Sequence, residues 1–328
     1  MKKIIVLLFS VLLVLVLVSC KKDPHKNEEP SSVIFETLKN LDSLKDIKKI
    51  DVSIKGTSGE YSVDTVSLDS VTEDISATLT AGYENNKLNA IKVESKGQLK
   101  IKGVKVPTGI ALLPNIVVSE ITIDIIKFDV IINFSKGLYY LDYNLVVSKE
   151  KSSAKFEDKF KLSDESLKEN APESLYDYLV SLTNSEFLLP VVTDDNKDEF
   201  LSEFYKYFTN ETSSLDGSSS VYSYNVNEEY VSSDEATLEN GKVSFYVLKD
   251  YKFSRIDLEG ILTAQGLSLD TEVSFLVNYD NQKVSYKDSD YPTKTIEEVT
   301  QMITSEYYPK IMLLFVDLST LLNYGGLF

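Results

Sequence analysis

Residues 87–102 read KLNAIKVESKGQLKIK, and within them Ile91, Val93, Leu99 and Ile101 alternate with lysines and other polar side chains. A period of two places the apolar groups on one face of an extended chain and the lysines on the other, which describes a strand with one buried and one wet face. The pattern continues on both sides. Val52 and Ile54 precede it, followed by Tyr61, Val63 and Leu68, in segments rich in Thr, Val and Ser. Asn85-Asn86 reads as a hairpin turn between residues 77–83 and 88–94, and Lys96-Gly97 as a second turn before residues 98–102. Downstream, residues 121–134 form a long strand. Its apolar phase shifts from Ile121, Ile123 and Ile125 to Phe128, Val130, Ile132 and Phe134, which implies a bulge or bend near Ile126. Lys136-Gly137 then turns the chain into residues 138–147, with Leu141, Tyr143, Leu145 and Val147 on one face.

Helical periodicity brackets these strands. Ile34, Leu38, Leu41, Leu44 and Ile47 recur every three or four residues behind Ser32, a candidate cap. Pro172 opens a stripe of Leu175, Tyr178, Leu179 and Leu182, and Asp195 is placed to cap a helix carrying Phe200, Leu201, Phe204, Tyr205 and Phe208. Residues 210–220 (NETSSLDGSSS) read as a polar loop. A second strand-rich region spans residues 221–286, with turns at Asn240-Gly241, Gln265-Gly266 and Asp280-Asn281. Thr295 and Glu298 have capping-box spacing and start a last helix that Pro309 kinks or breaks. Residues 311–322 are almost wholly apolar and too short to span a bilayer, so they read as a buried core helix. The expectation is an α+β fold: one or more curved antiparallel sheets of long strands packed with helices at the N-terminus, middle and C-terminus.

The first twenty residues stand apart. Lys2 and Lys3 precede an apolar run from Ile4 to Val18 broken by Ser10, and Leu17-Val18-Ser19-Cys20 ends it with small residues before a cysteine. That is the layout of an export signal. The ending resembles the lipobox of bacterial lipoproteins. The resemblance implies cleavage between Ser19 and Cys20, diacylglyceryl attachment and acylation (palmitate) at Cys20, and a lipid-anchored location on the cell membrane facing away from the cytoplasm. The expected organisation is a signal peptide over 1–19, a lipidated cysteine and flexible tether over 20–32, helix plus strands plus helix over 33–192, and helix plus strands plus C-terminal helix over 193–328. The last two are either separate or one continuous domain.

Composition narrows the function. The 328-residue chain has formal charge −17, which becomes −19 once Lys2 and Lys3 are cleaved away, and 43% hydrophobic content with 20 Tyr and 15 Phe supplies a sizeable core. An acidic body repels phosphate backbones, so nucleic acid is excluded as a partner. Cys20 is the sole cysteine and His25 the sole histidine, the latter placed in the polar tether as a solvated residue. A folded body without either side chain lacks Ser-His-Asp and Cys-His nucleophiles and His/Cys zinc sites. Arg255 is the only arginine, so bidentate forks for phosphate or carboxylate are nearly absent.

Motif candidates fare poorly. Asp194-Asp195-Asn196-Lys197-Asp198 begins like a calcium loop, but Glu199 and Tyr205 stand where the template needs Gly and Glu. Paired carboxylates of a glycosidase remain open in principle, with 51 acidic residues and none singled out. Ser152 and Ser166 precede lysines without a supporting motif set. The expectation is therefore no catalytic residues, no metal and no cofactor. Residues 87–105 carry six lysines against Glu94 alone, next to the apolar, proline-broken stretch 106–118 (VPTGIALLPNIVV). Either the lysines form a rim for anionic lipid heads or they are the wet face of an amphipathic hairpin, as the alternation suggests. The order of elements resembles lipoprotein-carrier and mycobacterial lipid-binding lipoprotein folds, in which helices plug a curved sheet over an apolar cavity. That resemblance implies a hydrophobic or lipid ligand, lined here by Ile110, Leu112, Leu113 and Ile116. The alternative is a surface lipoprotein that works through protein contact, as adhesin, antigen or complex subunit.

Overall fold

The computed structural model describes residue 25 and residues 28–40, 47–63, 66–84, 87–106, 116–163, 165, 192–216, 219–232, 236–264, 266–280 and 283–315. Helix α1 (Pro30–Lys39) leads into strands β1 (Lys49–Ser58), β2 (Tyr61–Val63), β3 (Val66–Leu68), β4 (Ser70–Glu84), β5 (Lys87–Val106), β6 (Ile116–Asn133), β7 (Leu138–Lys149) and β8 (Ser152–Ser163). Helix α2 (Lys197–Tyr207) follows, then β9 (Phe208–Asp216), β10 (Ser219–Val226), the short α3 (Glu228–Val231), β11 (Ala236–Val247), β12 (Phe253–Ala264) and β13 (Leu267–Asn278). Helices α4 (Ile296–Met302) and α5 (Tyr308–Phe315) close the described chain, joined by a π-turn over Ile303–Tyr307.

Among the described residues the strands form one open, curved, antiparallel sheet in the order β8-β7-β6-β5-β4-β1-β13-β12-β11-β10-β9, with the β2–β3 hairpin attached to β5. The described residues are mostly β, with few helices, and so lean away from a balanced α+β arrangement. Strand β1 links the two strand-rich regions, pairing with β4 on one side and β13 on the other.

Register is what makes this sheet a single surface. Phe156, Leu145, Ile125, Gly97, Ile75, Ile54, Val273, Leu258, Val243 and Tyr224 stand side by side across ten strands. Because the side-chain period is two, a slip of one residue in any pair would send that strand's apolar set to the opposite face.

Two turns expected from sequence are bulges. Strand β5 runs unbroken through Lys96-Gly97, with the register against β6 shifting between Ser95 and Gly97, and β6 shifts in turn against β7 between Ile125 and Lys127. The extra residue on β6 is Ile126, which turns outward and is exposed. Gly97 has φ +154°, and a Cβ there would sit 2.3 Å from the Asp74 carbonyl oxygen. Asn240-Gly241 is likewise a bulge inside β11, with Asn240 at φ 52°. Turn-prone residues serve here because a bulge asks for the same left-handed backbone as a hairpin. Gly137 and Gly266, at φ 58° and 84°, do sit in the connections β6–β7 and β12–β13. Strands β4 and β5 pair out to Glu84↔Lys87, around the hairpin expected at 85–86, which lies outside the described residues.

Other expectations shift. The segment read as a polar loop, 210–220, contributes to the β9–β10 hairpin, and residues 283–287 are not strand. Pro30, not Ser32, starts α1, with Glu29 at the capping position, so the helix begins inside the expected tether. Thr193, not Asp195, forms the capping box, with Asn196, ahead of α2. Thr295 and Glu298 form the expected box at α4, with N–H···O distances of 3.1 and 2.8 Å. Pro309 lacks the N–H that the Ser305 carbonyl would accept, and the π-turn falls just ahead of it. Residues 166–191, including the expected helix at Pro172, lie outside the described residues.

The largest core gathers Val33, Ile34 and Leu38 of α1 and Phe204 of α2 over Ile50, Phe275, Ile256, Phe245 and Tyr224 of the sheet. Phe245 is fully buried in it and Leu276, on the opposite face, is half exposed. Phe245→Ala should therefore cost about 3–5 kcal/mol in urea unfolding, whereas Leu276→Ala should cost under about 1 kcal/mol. Equal losses would mean that this face is not the core.

Candidate functional site

Helices cover the apolar face at its two flanks. Over β1, β13, β12, β11 and β10 lie α1 and α2. Over β6, β7 and β8 lies α4 with the π-turn, which packs Met302, Ile296, Val299 and Tyr307 onto Tyr139, Leu141 and Phe160. Tyr143 and Tyr307 share a hydrogen bond of 2.8 Å there, and burial followed by that bond pushes the Tyr143 hydroxyl pKa well above its usual range.

Between the flanks lies a trough. Its floor is Ile75 and Leu79 of β4, Val93 and Leu99 of β5, and Ile123, Ile125 and Val130 of β6, all half-buried and absent from every packed core among the described residues. Phe128, in register with Tyr143, is exposed at its side. Edge-to-edge, the floor continues the rows that the helices cover elsewhere, and among the described residues no helix packs on this part of the surface.

Glu73 interrupts that surface. It occupies the apolar phase of β4, between Val71 and Ile75, and its row reads Val147, Ile123, Leu99, Glu73, Gly56, Thr271. The carboxylate lies back over β1, where its Oε1 is 2.6 Å from the point a Cβ on Gly56 would occupy. A side chain at position 56 would displace the carboxylate from this resting place. Burial raises its carboxyl pKa, and among the described residues no cation or hydrogen-bond donor offsets it. The sequence carries the signal, a charged residue in an otherwise apolar alternation over 71–81.

The opposite face handles charge differently. Lys127 and Lys159 both reach Asp142, at 2.6 and 3.2 Å, and Lys127 also reaches Asp129 at 3.4 Å. Burial would raise the Asp142 pKa, but the hydrogen bonds from the two lysines outweigh it and hold the carboxyl below its usual range. The segment 284–294 straps this side. Tyr140 is buried beneath Tyr286 and Tyr291, its hydroxyl donates to Asp288 at 2.7 Å, and Thr293 bridges to Lys161 on the edge strand.

Of the sequence-derived candidates, Ser19, Cys20, Ile110, Leu112 and Leu113 lie outside the described residues. Ile116 opens β6 opposite Val106, and its side chain is likewise outside them. The lysines of the 87–105 segment resolve largely as the wet face. Lys92 pairs with Glu94 at 2.5 Å, Lys100 with Glu120 at 3.8 Å, and Lys105 with Asp69 at 3.1 Å. Asp194, first of the calcium-like loop, sits in a 3₁₀ turn and pairs with Lys39 at 2.5 Å. His25 is not solvated. It is buried edge-on against Tyr251 at 4.3 Å between ring centres, while the Tyr251 hydroxyl donates to Glu28. Residues 311–313, expected in a core helix, are exposed on α5, with Leu314 buried behind them. No helix among the described residues is long and apolar enough to cross a membrane.

A second concavity, of about 520 Å³, lies beside α3, at the start of β9 and the end of β10, between Thr209, Asn210, Asn225, Asn227, Glu228 and Asn240. Its polar groups are partly committed: Glu228 accepts from the Asn240 N–H at 2.8 Å and Asn227 from the Glu229 N–H at 3.3 Å.

No family model and no curated protein matches the sequence. Among solved structures, the chain is similar to a beta-barrel-like protein of the domain of unknown function DUF1849 from Brucella abortus. The identity is 8% and the TM-score 0.22, over 72% of this chain and 100% of that one. A likeness that slight carries nothing about fold or function.

The two carboxylates make opposite pH predictions. A raised folded-state pKa means that ionised Glu73 opposes folding, so its neutral form's advantage is lost as pH rises through the folded value. Glu73→Gln should thus be more stable than the parent at neutral pH, with the gain vanishing in acid. Asp142 has a lowered pKa, so Asp142→Asn should be less stable at neutral pH and converge with the parent in acid. Thermal melts across pH 3–8 check both signs; the same sign for both variants would refute the assignment.

Proposed function

We propose that the protein is a lipid-anchored, extracytoplasmic, non-enzymatic binding protein that holds a hydrophobic or lipid ligand on the trough over β4, β5 and β6. The observation that carries this reading is the continuous apolar face whose central part no described helix covers. The part of Ile75, Leu79, Val93, Leu99, Ile123 and Ile125 that stays exposed forgoes burial worth about 25 cal/mol per Å². A ligand of matching apolar length recovers it. The lipobox at Leu17-Val18-Ser19-Cys20 supplies the location, and the absence of cysteine from the body, together with a lone histidine packed on Tyr251, supports binding in place of catalysis.

A second reading, contact with another protein, draws on Tyr308, Ile311, Met312 and Leu313, which expose an apolar strip on α5. It predicts a partner lost on Leu313→Asp, while ligand binding is unchanged.

Mass spectrometry on an organic extract of the protein purified from residue 21 onward, without its anchor, should find a co-purified lipid at about one per chain. Val93→Asp should remove it, since a charge on the trough floor is expensive to bury. A blank after incubation with total membrane lipid would defeat the ligand reading. For the anchor, Cys20→Ser should abolish lipid labelling and shift the protein out of the membrane fraction, because stable attachment needs the acyl chains. Membrane retention with an intact N-terminus would instead indicate an uncleaved helix.

A further inference from the structure

We infer that the ligand of the trough is an amphiphile with a cationic head group, a primary or quaternary ammonium, which pairs with the Glu73 carboxylate while its tail lies along β5 and β6. This rests on the ligand reading above and adds the head-group chemistry to it.

Three observations converge on Glu73. It lies in register with Leu99 and Ile123 on the apolar face, so a group that meets its carboxylate is already at one end of the trough. Gly56 opposite it leaves room for the carboxylate to rest on β1, where a larger side chain would collide with Oε1. No lysine or arginine among the described residues reaches it, although lysines pair with Asp142, Asp129, Glu94, Glu120 and Asp69 elsewhere on the same sheet. A half-buried carboxylate without a partner is costly for the empty protein. A ligand ammonium removes that cost, and the low polarity of the surroundings strengthens the pair. An anionic head group would add like-charge repulsion and is rejected.

The test uses the full-length chain in nonionic detergent and two photoactivatable probes with one diazirine-bearing alkyl tail. One probe ends in trimethylammonium and the other in sulfonate. Cross-links are mapped by peptide mass spectrometry at 0.5 M salt, where the general attraction of an acidic protein for cations is screened beyond about 4 Å. The cationic probe should label β4, β5 and β6 about tenfold more than the anionic one. Glu73→Gln should erase that preference, and Glu272→Gln, which neutralises an exposed carboxylate on the outer face, should keep it. Equal labelling of the wild type by both probes, or a cationic preference that survives Glu73→Gln, overturns the head-group inference and leaves the apolar ligand in place. Failure of both probes to label these strands overturns the ligand reading as well. The wild-type preference alone decides between these outcomes if Glu73→Gln does not fold.

Discussion

Strand β1 is the hinge of the architecture, because it is hydrogen-bonded to β4 along one edge and to β13, more than two hundred residues later, along the other. Its inward side chains, Ile50, Val52 and Ile54, fix the phase on both sides at once. Leu79, Ala77 and Ile75 must face the same way, and so must Val277, Phe275 and Val273. Neighbour by neighbour, that phase passes to both ends of the sheet. A pairing this long-range closes a large loop, so it is slow to form and depends on the two strand regions already presenting matching apolar rows. Gly56 near the end of β1 ties the hinge to the site, since the room it leaves is where the Glu73 carboxylate rests.

The helices then treat one continuous face unequally. Aromatic side chains of α2, Phe200 and Phe204, stack against Phe35, Phe208 and Tyr224, giving the β10–β13 region a dense core. On the other flank α4 and the π-turn cover the far ends of β6, β7 and β8. The bulges at Ser95/Gly97 and Ile125/Lys127 fall between, at adjacent positions on β5 and β6. Bulges bend the strand that carries them and increase its twist. They therefore curl the sheet at the place where no described helix covers it, and the turn-like Lys96-Gly97 and the phase change at Ile126 are the local causes.

Strands were the most legible part of this sequence, because a period of two in 87–102 and 121–147 admits few alternatives, and the phase change at Ile126 named its bulge. Lys96-Gly97 and Asn240-Gly241 misled for a physical reason: the left-handed backbone that suits a hairpin suits a bulge equally, and only the partner strand decides between them. Helix caps slipped by a few residues where Pro30 and Thr193 outcompeted Ser32 and Asp195. The site was less legible. The proline-broken stretch 106–118 lies mostly outside the described residues, and which rows of the face the described helices leave open depends on tertiary packing. Glu73 was readable in principle as a charge in an apolar phase.

The contrast between the two faces gives Glu73 its meaning. On the outer face, carboxylates in comparably shielded positions are answered from within: Asp142 by Lys127 and Lys159, Asp257 by Arg255 at 2.6 Å. Such pairs satisfy themselves and need no outside group. On the inner face the sheet offers Glu73 a neighbouring glycine and apolar side chains, which accommodate its volume but not its charge. A sheet that supplies counter-ions so regularly on one side, with 33 lysines to draw on, has the means to neutralise one more carboxylate. Among the described residues this one is left open, at the end of an apolar trough that no described helix covers, and a negative pole and a greasy floor within reach of a single molecule are the complementarity that an ammonium-headed amphiphile would meet.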